Sequence, residues 1–352
     1  MGWQRFSWIV VTGFIGAILT IAIFVFLMNP YGNLRPSLFR AHTIMDINQR
    51  FQYPALIRSG QFDSIVIGTS DARLLRPESL QDVLGGRFAN LARNAGTAWE
   101  QYRLVDLFIR EVKHPHLLLM ALDQVWCNGD AAAGDTTFRG FPEWIYDDDP
   151  LNDFVYMING KAVETSFRRL GYLLNVKPAR FVAGYEVFTP PEDKYDLSKA
   201  KQKIWKGRTP QTIKVADPSY VATPEERARW QFPALAWLSE ILSRFRGDVV
   251  IAFMPVHVRS QPVPGSLEAA KENECKERII EIARHDRAPV VDFRIWSEIT
   301  STDSNYWDPL HYRLPIADRV VSGIARALTT RNDDPKGDWR FFGAKGEETA
   351  SP

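Results

Sequence analysis

The sequence predicts an α/β protein in which a parallel sheet lies between helices, preceded by one apolar segment near the amino end. Three observations predict it. Short, wholly apolar runs recur along the chain, helix-periodic stretches lie between them, and the 21 residues from Trp8 to Met28 carry no charge. At 352 residues the chain exceeds the roughly 100 to 200 residues of one typical domain. A net charge of +1 and 45% hydrophobic residues describe an ordinary folded protein, and no basic field points to nucleic acid as a partner.

The first element reads WIVVTGFIGAILTIAIFVFLM. At about 1.5 Å per residue it matches the roughly 30 Å hydrocarbon core of a bilayer. It exceeds the roughly 7 to 15 residues of a signal h-region, and Asn29-Pro30-Tyr31-Gly32 ends it as a helix stop without an A-x-A cleavage site, so it reads as an anchor. Arg5 precedes it, whereas Arg35, Arg40 and Arg50 follow, so charge alone does not orient it. Long domains translocate largely regardless of charge. The expectation is therefore a single pass through the inner (cytoplasmic) membrane with the domain outside, in a bacterium the periplasm.

A connector at residues 29–60 leads to a domain at 61–330. Ser64-Ile-Val-Ile-Gly68, Arg87 to Asn90, His116 to Leu122, Asp248 to Met254 and Ala288 to Phe293 read as buried strands, five in all. Tyr102 to Val112 has helical apolar spacing. Thr223-Pro224-Glu225-Glu226 starts a helix with a capping box and Pro at the first position, running to Arg246 with Pro233 set to kink or restart it. A final helix spans about Leu314 to Leu328. Between the third strand and Val221, residues 127–221 break the alternation as an aromatic- and Pro-rich insertion with helix expected at Ala162 to Leu174. Leaving a strand's carboxyl end, it is placed to roof a site there. The tail at 331–352 reads as mobile.

Two places can carry chemistry. Ser70 follows the first strand in Ile67-Gly68-Thr69-Ser70, which sets its hydroxyl at the carboxyl edge of the sheet and its amide at a helix start able to bind an anion. A plain helix cap would look the same. Tyr306-Trp307-Asp308-Pro309-Leu310-His311 puts a carboxylate and an imidazole three apart on a Pro-braced turn. Such a carboxylate can fix the imidazole tautomer, and the other ring nitrogen can then take a proton from serine. Cys127 and Cys275 neither demand nor exclude a disulfide, and no CxxC or Cys/His cluster calls for a metal or cofactor.

Taken together, these blocks resemble the SGNH or GDSL hydrolase superfamily, and within it the membrane-associated branch similar to alginate O-acetylation proteins and the teichoic-acid D-alanylation membrane protein. The resemblance covers residues 60–130 and 245–328 and the Asn29-Pro30-Tyr31-Gly32 exit from the anchor. Gly68-Thr69-Ser70 matches the nucleophile turn, Gly96 in Asn94-Ala95-Gly96 the oxyanion glycine, and Asp308 with His311 the last block. The resemblance implies a flavodoxin-like three-layer fold with a five-stranded parallel sheet. It also implies a catalytic Ser70, Asp308 and His311, and an oxyanion hole at the amides of Ser70 and Gly96. Thr69 replaces the usual Asp of the nucleophile turn. The family's oxyanion asparagine is missing, because Leu122-Asp123-Gln124 stands there. An ionised Asp123 only accepts hydrogen bonds and would repel an oxyanion. Either Asn94 or Gln124 substitutes, or the site is weak, or Asp123 has another purpose.

His257 after the fourth strand, Arg73 one turn beyond Ser70, and Asp123 are further residues that can contact substrate. Arg73 can equally pair with Asp71 or Asp123. Trp126, Trp144, Tyr146 and Trp205 can offer flat faces to sugar rings or fill the core. The resemblance implies O-acyl transfer, with acetyl as the group, or ester hydrolysis on a cell-envelope or exported polysaccharide, and a multi-pass membrane acyltransferase as partner. The missing asparagine keeps open a catalytically degenerate, glycan-binding scaffold.

Overall fold

The computed structural model describes residues 2–34, 43–44, 48–130, 140–176 and 181–343. They form two compact units. One comprises Met1–Gln61 with Pro142–Ala183, the other Phe62–Phe141 with Gly184–Pro352.

In the first unit, Trp3–Met28 is one helix of 26 residues, long and apolar enough to cross a membrane. It stops where the sequence places the stop. Asn29 turns left-handed at φ 42°, and its side chain accepts from the Leu34 amide at 3.2 Å and donates to the Leu34 carbonyl at 2.9 Å. The connector is more ordered than a linker, since Gln49–Arg58 is a helix that buries Tyr53, Leu56 and Ile57. The helix expected at Ala162 to Leu174 runs Gly160–Leu173, capped by Asn159, whose side chain accepts from the Ala162 amide at 2.9 Å. Thr43–Ile44 pairs antiparallel with Phe181–Val182. The stretch 127–221 is thus divided: its middle belongs to this unit, and the rest stays with the sheet.

The second unit is built on six strands: β1 (Ser64–Gly68), β2 (Phe88–Asn90), β3 (Leu117–Leu122), β4 (Asp248–Phe253), β5 (Val290–Asp292) and β6 (Arg340–Phe342). Their order in the sheet is β2-β1-β3-β4-β5-β6. The pairs β1-β2, β1-β3, β3-β4 and β4-β5 are parallel. The expected all-parallel, five-stranded sheet is corrected by β6, which runs antiparallel with Val290 opposite Phe342. That strand lies in the tail expected to be mobile. It is held because Trp339, just before it, is buried against Phe293 with ring centroids 5.7 Å apart. The remainder of that tail, 344–352, lies outside the described residues.

Buried on both faces, the central strands read as continuous apolar runs rather than alternating ones. Val66, Leu119, Val250 and Val291 on one face join Leu80 of the helix Pro77–Leu84 and Val320 and Ile324 of the helix Leu314–Thr330. The alternate set, Ile65, Ile67, Leu118, Met120, Ile251 and Phe253, is buried on the opposite face, where Ala98–Glu111 packs on β1 and on Ala234–Arg244. Ala98–Glu111 starts a turn earlier than its apolar spacing predicts because Thr97 and Glu100 form a capping box, each side chain accepting the other's amide at 3.1 Å. Pro233 does restart the helix after Thr223, splitting it into Pro224–Arg229 and Ala234–Arg244.

Cys127 and Cys275 form a disulfide between the turn after β3 and the helix Leu267–His285, 148 residues apart in sequence. Closing so long a loop restricts the unfolded chain strongly. Cys127→Ser with Cys275→Ser is expected to lower stability by about 2–5 kcal/mol, or about 5–15 °C in Tm. A thermal melt with and without reductant checks this, and equal midpoints would show that the bond adds nothing.

Candidate active site

The strand order reverses between β1 and β3, and in open α/β sheets ligands bind at such a switch point, outside the carboxyl ends of the strands. Ser70 stands there. The turn from β1 is tight: a Cβ on Gly68 would lie 2.6 Å from the Ala121 carbonyl oxygen and 2.9 Å from the Ala72 Cβ, so only glycine fits. Ser70–Ala72 then forms one 3₁₀ turn. Asn90 fastens it from β2, donating to the carbonyls of Ala72 at 2.9 Å and Leu75 at 2.8 Å. From the far end of the chain, the Tyr312 hydroxyl donates to the Asp71 carbonyl.

The Asp308–His311 turn is built by its own carboxylate. Asp308 Oδ1 accepts from the amides of Leu310 at 2.9 Å and His311 at 3.0 Å, and Tyr306 bridges Tyr312 across the base. Asp308 Oδ2 lies 2.8 Å from His311 Nδ1. On the other side of the ring, His311 Nε2 lies 2.9 Å from Ser70 Oγ. The three side chains therefore meet in one relay although Ser70 and His311 are 241 residues apart. Neither a family model nor a curated protein matches the sequence.

Around the relay, Arg73 is buried and is not available to a substrate. It donates to Asn94 Oδ1 at 2.6 Å, pairs with Glu186, and lies 4.3 Å over the ring of Phe188. Phe188 in turn sets its edge against the His311 ring, centroids 5.2 Å apart. By holding the carbonyl oxygen of the Asn94 amide, Arg73 also fixes which end of that amide is the donor. Ala95 takes a left-handed φ of 46° beside Gly96, where an added Cβ would meet Arg93 Cγ at 2.7 Å. Among the described residues, no backbone acceptor takes the amides of Ser70 or Gly96.

Asp123 does not face the site as a substrate ligand. It is buried at the end of β3, accepts from the Thr69 hydroxyl and from the Val125 amide at 2.9 Å, and so ties the Ser70 turn to the neighbouring strand. Gln124 lies 3.5 Å from Arg294 rather than with the relay. His257 is fully buried. Its Nδ1 accepts from the Arg259 amide at 3.1 Å, its Nε2 lies 3.0 Å from Asp303, and its own amide donates to Pro309, so it supports the Asp308 turn from beneath instead of touching substrate. Trp126 is a core residue whose indole donates to Gln101 at 3.1 Å, and Trp205 donates to Asp303 at 3.0 Å. Trp144 and Tyr146 belong to the other unit, Tyr146 being wholly buried. An exposed ring does stand on the carboxyl edge. Trp296, 45% exposed, borders a cleft of about 240 Å³ beyond β5, lined by polar residues such as Gln261 and Asn273 and by apolar ones such as Pro262 and Ile295.

Electrostatics follow from burial. Asp71 is raised to about 7, by desolvation first and then by the Asp123 carboxylate, against the opposing pull of His311 and Arg294. Burial likewise raises Asp123, although its hydrogen bonds from Thr69 and Val125 work the other way. His311 is pulled down by burial, but the hydrogen bond and charge of Asp308 outweigh this and hold it above its ordinary value. Burial pushes Asp308 up, and its bonds from His311 and the two amides bring it below the ordinary carboxylate value. Phe188, Glu186, Tyr312 and Arg294 escaped the sequence reading, and Asp71 entered it only as a partner for Arg73, which instead pairs with Glu186. Asp71 and Tyr312 directly follow Ser70 and His311, a signal that was there to use, whereas Glu186 and Phe188 lie in no motif.

Proposed function

We propose that the chain is a membrane-anchored serine O-acyltransferase or esterase of the SGNH type, acting outside the cytoplasm on a cell-envelope or exported polysaccharide, with acetyl as the acyl group. The continuous path from Ser70 Oγ through His311 to Asp308 carries this reading. Ser70 Oγ bonds to the acyl carbonyl carbon while His311 Nε2 takes the hydroxyl proton. The tetrahedral oxyanion accepts hydrogen bonds from the amides of Ser70 and Gly96. Collapse breaks the bond to the donor oxygen, which leaves with the proton from His311. A sugar hydroxyl or water then gives its proton to His311, attacks the acyl-serine and frees Ser70.

Other features support the setting. A disulfide persists in oxidising compartments, which agrees with a domain outside the cytoplasm. The apolar helix Trp3–Met28 serves as the anchor and keeps the domain near a multi-pass membrane partner that hands over the acyl group. The exposed Trp296 indole offers a face on which a sugar ring can stack. Thr69 and Val125 occupy Asp123, which weakens the case that its charge spoils the oxyanion hole.

The test is labelling of the full-length protein by a fluorophosphonate probe, read by mass spectrometry. Covalent mass on the peptide carrying Ser70, lost on prior denaturation, is expected. No labelling together with no turnover of acetyl esters would leave the chain as a catalytically silent glycan-binding scaffold.

A further inference from the structure

Among the described residues of the N-terminal unit outside the helix Trp3–Met28, the exposed large apolar side chains lie on Pro150–Tyr156, on Gly160–Leu173 and in the turns that follow them. The helix Gly160–Leu173 has three faces. Ala162, Thr165, Ser166 and Arg169 are buried. Lys161, Glu164 and Arg168 form a charged stripe joined by ion pairs of 2.8 and 2.7 Å. On a third side, at about 100° per residue, Val163, Phe167, Leu170 and Leu174 align. Phe167 and Leu174 are 61% and 63% exposed. Next to this helix, Pro150–Tyr156 and the turn after it expose Phe154, Val155 and Ile158, the last two at 71% and 60%. A boundary between an apolar and a charged stripe on an exposed helix is the pattern of a segment lying at a membrane interface.

Both segments touch the final turns of the apolar helix. The Phe167 ring lies 4.7 Å from that of Phe24, and the Phe154 ring 5.3 Å from that of Phe26. If Trp8 to Met28 spans the hydrocarbon core, Phe24 and Phe26 lie roughly 3–6 Å inside its edge at about 1.5 Å per residue. Residues packed on them share that depth. Sliding the span toward Trp3 would lift the collar into water, but it would also strand Ile23 and Leu27, which remain exposed on the free side of the helix.

We propose that Phe154, Val155, Ile158, Phe167 and Leu174 form a collar that sinks into the domain-side leaflet of the bilayer crossed by Trp3–Met28, with Lys161, Glu164 and Arg168 at the headgroups. The inference rests on the reading of that helix as a membrane span. It makes the anchor a wedge rather than a tether: the N-terminal unit is held at a fixed depth by lipid contacts from three segments.

Cys127 and Cys275 are the only cysteines and are bonded to each other, so an introduced cysteine is the sole free thiol. Val155→Cys, Phe167→Cys and Leu174→Cys, each labelled with an environment-sensitive fluorophore in full-length protein in phosphatidylethanolamine/phosphatidylglycerol vesicles, are compared with Glu164→Cys and Ile15→Cys. Nitroxide-bearing lipid is expected to quench the three collar labels and Ile15→Cys several-fold more than iodide does, with the reverse at Glu164→Cys. Shielding at Ile15→Cys with iodide quenching at all three collar positions would overturn the collar and leave the span standing. Iodide quenching at Ile15→Cys would overturn the span, and the collar with it.

Discussion

Ser70→Ala is expected to lower acyl-ester turnover by roughly 10⁴- to 10⁶-fold, leaving only what binding and the oxyanion amides supply. In the proposed mechanism the effect is this large because the hydroxyl at 2.9 Å from His311 Nε2 would form the covalent bond, and alanine offers no nucleophile in its place. The fold should be indifferent. The turn is held by Asn90, by the Thr69 hydroxyl on Asp123 and by Tyr312 on the Asp71 carbonyl, none of which involves the Ser70 side chain. Turnover of a chromogenic acetyl ester, measured beside a thermal melt, separates the two effects. An unchanged melting curve with wild-type turnover in the variant would remove Ser70 from the chemistry.

For Asp308→Asn the expected loss is of order 10⁴-fold, by a different route. The carboxylate accepts from Nδ1, which leaves Nε2 unprotonated and able to take the serine proton. An asparagine amide can donate to Nδ1, which moves the hydrogen to Nε2 and blocks the base. Wild-type turnover should rise with pH along a limb set by His311, above the ordinary imidazole value of 6.5, because Asp308 raises it despite burial. Asp71 also raises it, so Asp71→Asn should move that limb to lower pH by a small amount.

Stability is expected to run the opposite way. His311, raised in the fold, contributes stability that is fully present below 6.5 and lost as pH climbs through its folded pKa. Asp308, lowered in the fold, contributes stability that is present above 3.8 and lost in acid. The melting difference between wild type and Asp308→Asn should therefore be widest between those two values and shrink where activity grows. A difference that widened with alkaline pH would contradict a charged pair at this position.

The strands, the stop of the apolar helix and the two ends of the relay were legible because each rests on local chemistry. Ser64 to Gly68 is apolar throughout since both its faces are covered, Asn29 and Gly32 end a helix by their own backbone preferences, and Asp308 builds its turn from amides two and three residues away. Pro233 and Thr223 likewise set helix boundaries within one turn of themselves. Some misses were of the same local kind. Thr97 with Glu100 was a readable capping box, and Trp339 a large apolar residue in a segment otherwise rich in Asp, Gly and Lys.

Tertiary structure alone decided the rest, because it turned on partners distant in sequence. Arg73 reads as a cation available to an anionic substrate, yet Glu186, 113 residues away, neutralises it and turns it into a brace for Asn94 and Phe188. Asp123 reads as a flaw in an oxyanion hole, yet it accepts from Thr69 across the β1-β3 pair and holds the Ser70 turn in place. His257 and Trp126 sit at strand ends where a ligand would bind, but the packing above them closes both off. The direction of β6 depends on which edge strand a tail can reach. By itself the sequence determined where a serine, a histidine and an aspartate stand along the chain. That His311 reaches Ser70 follows from the order of strands in the sheet, which no local pattern encodes.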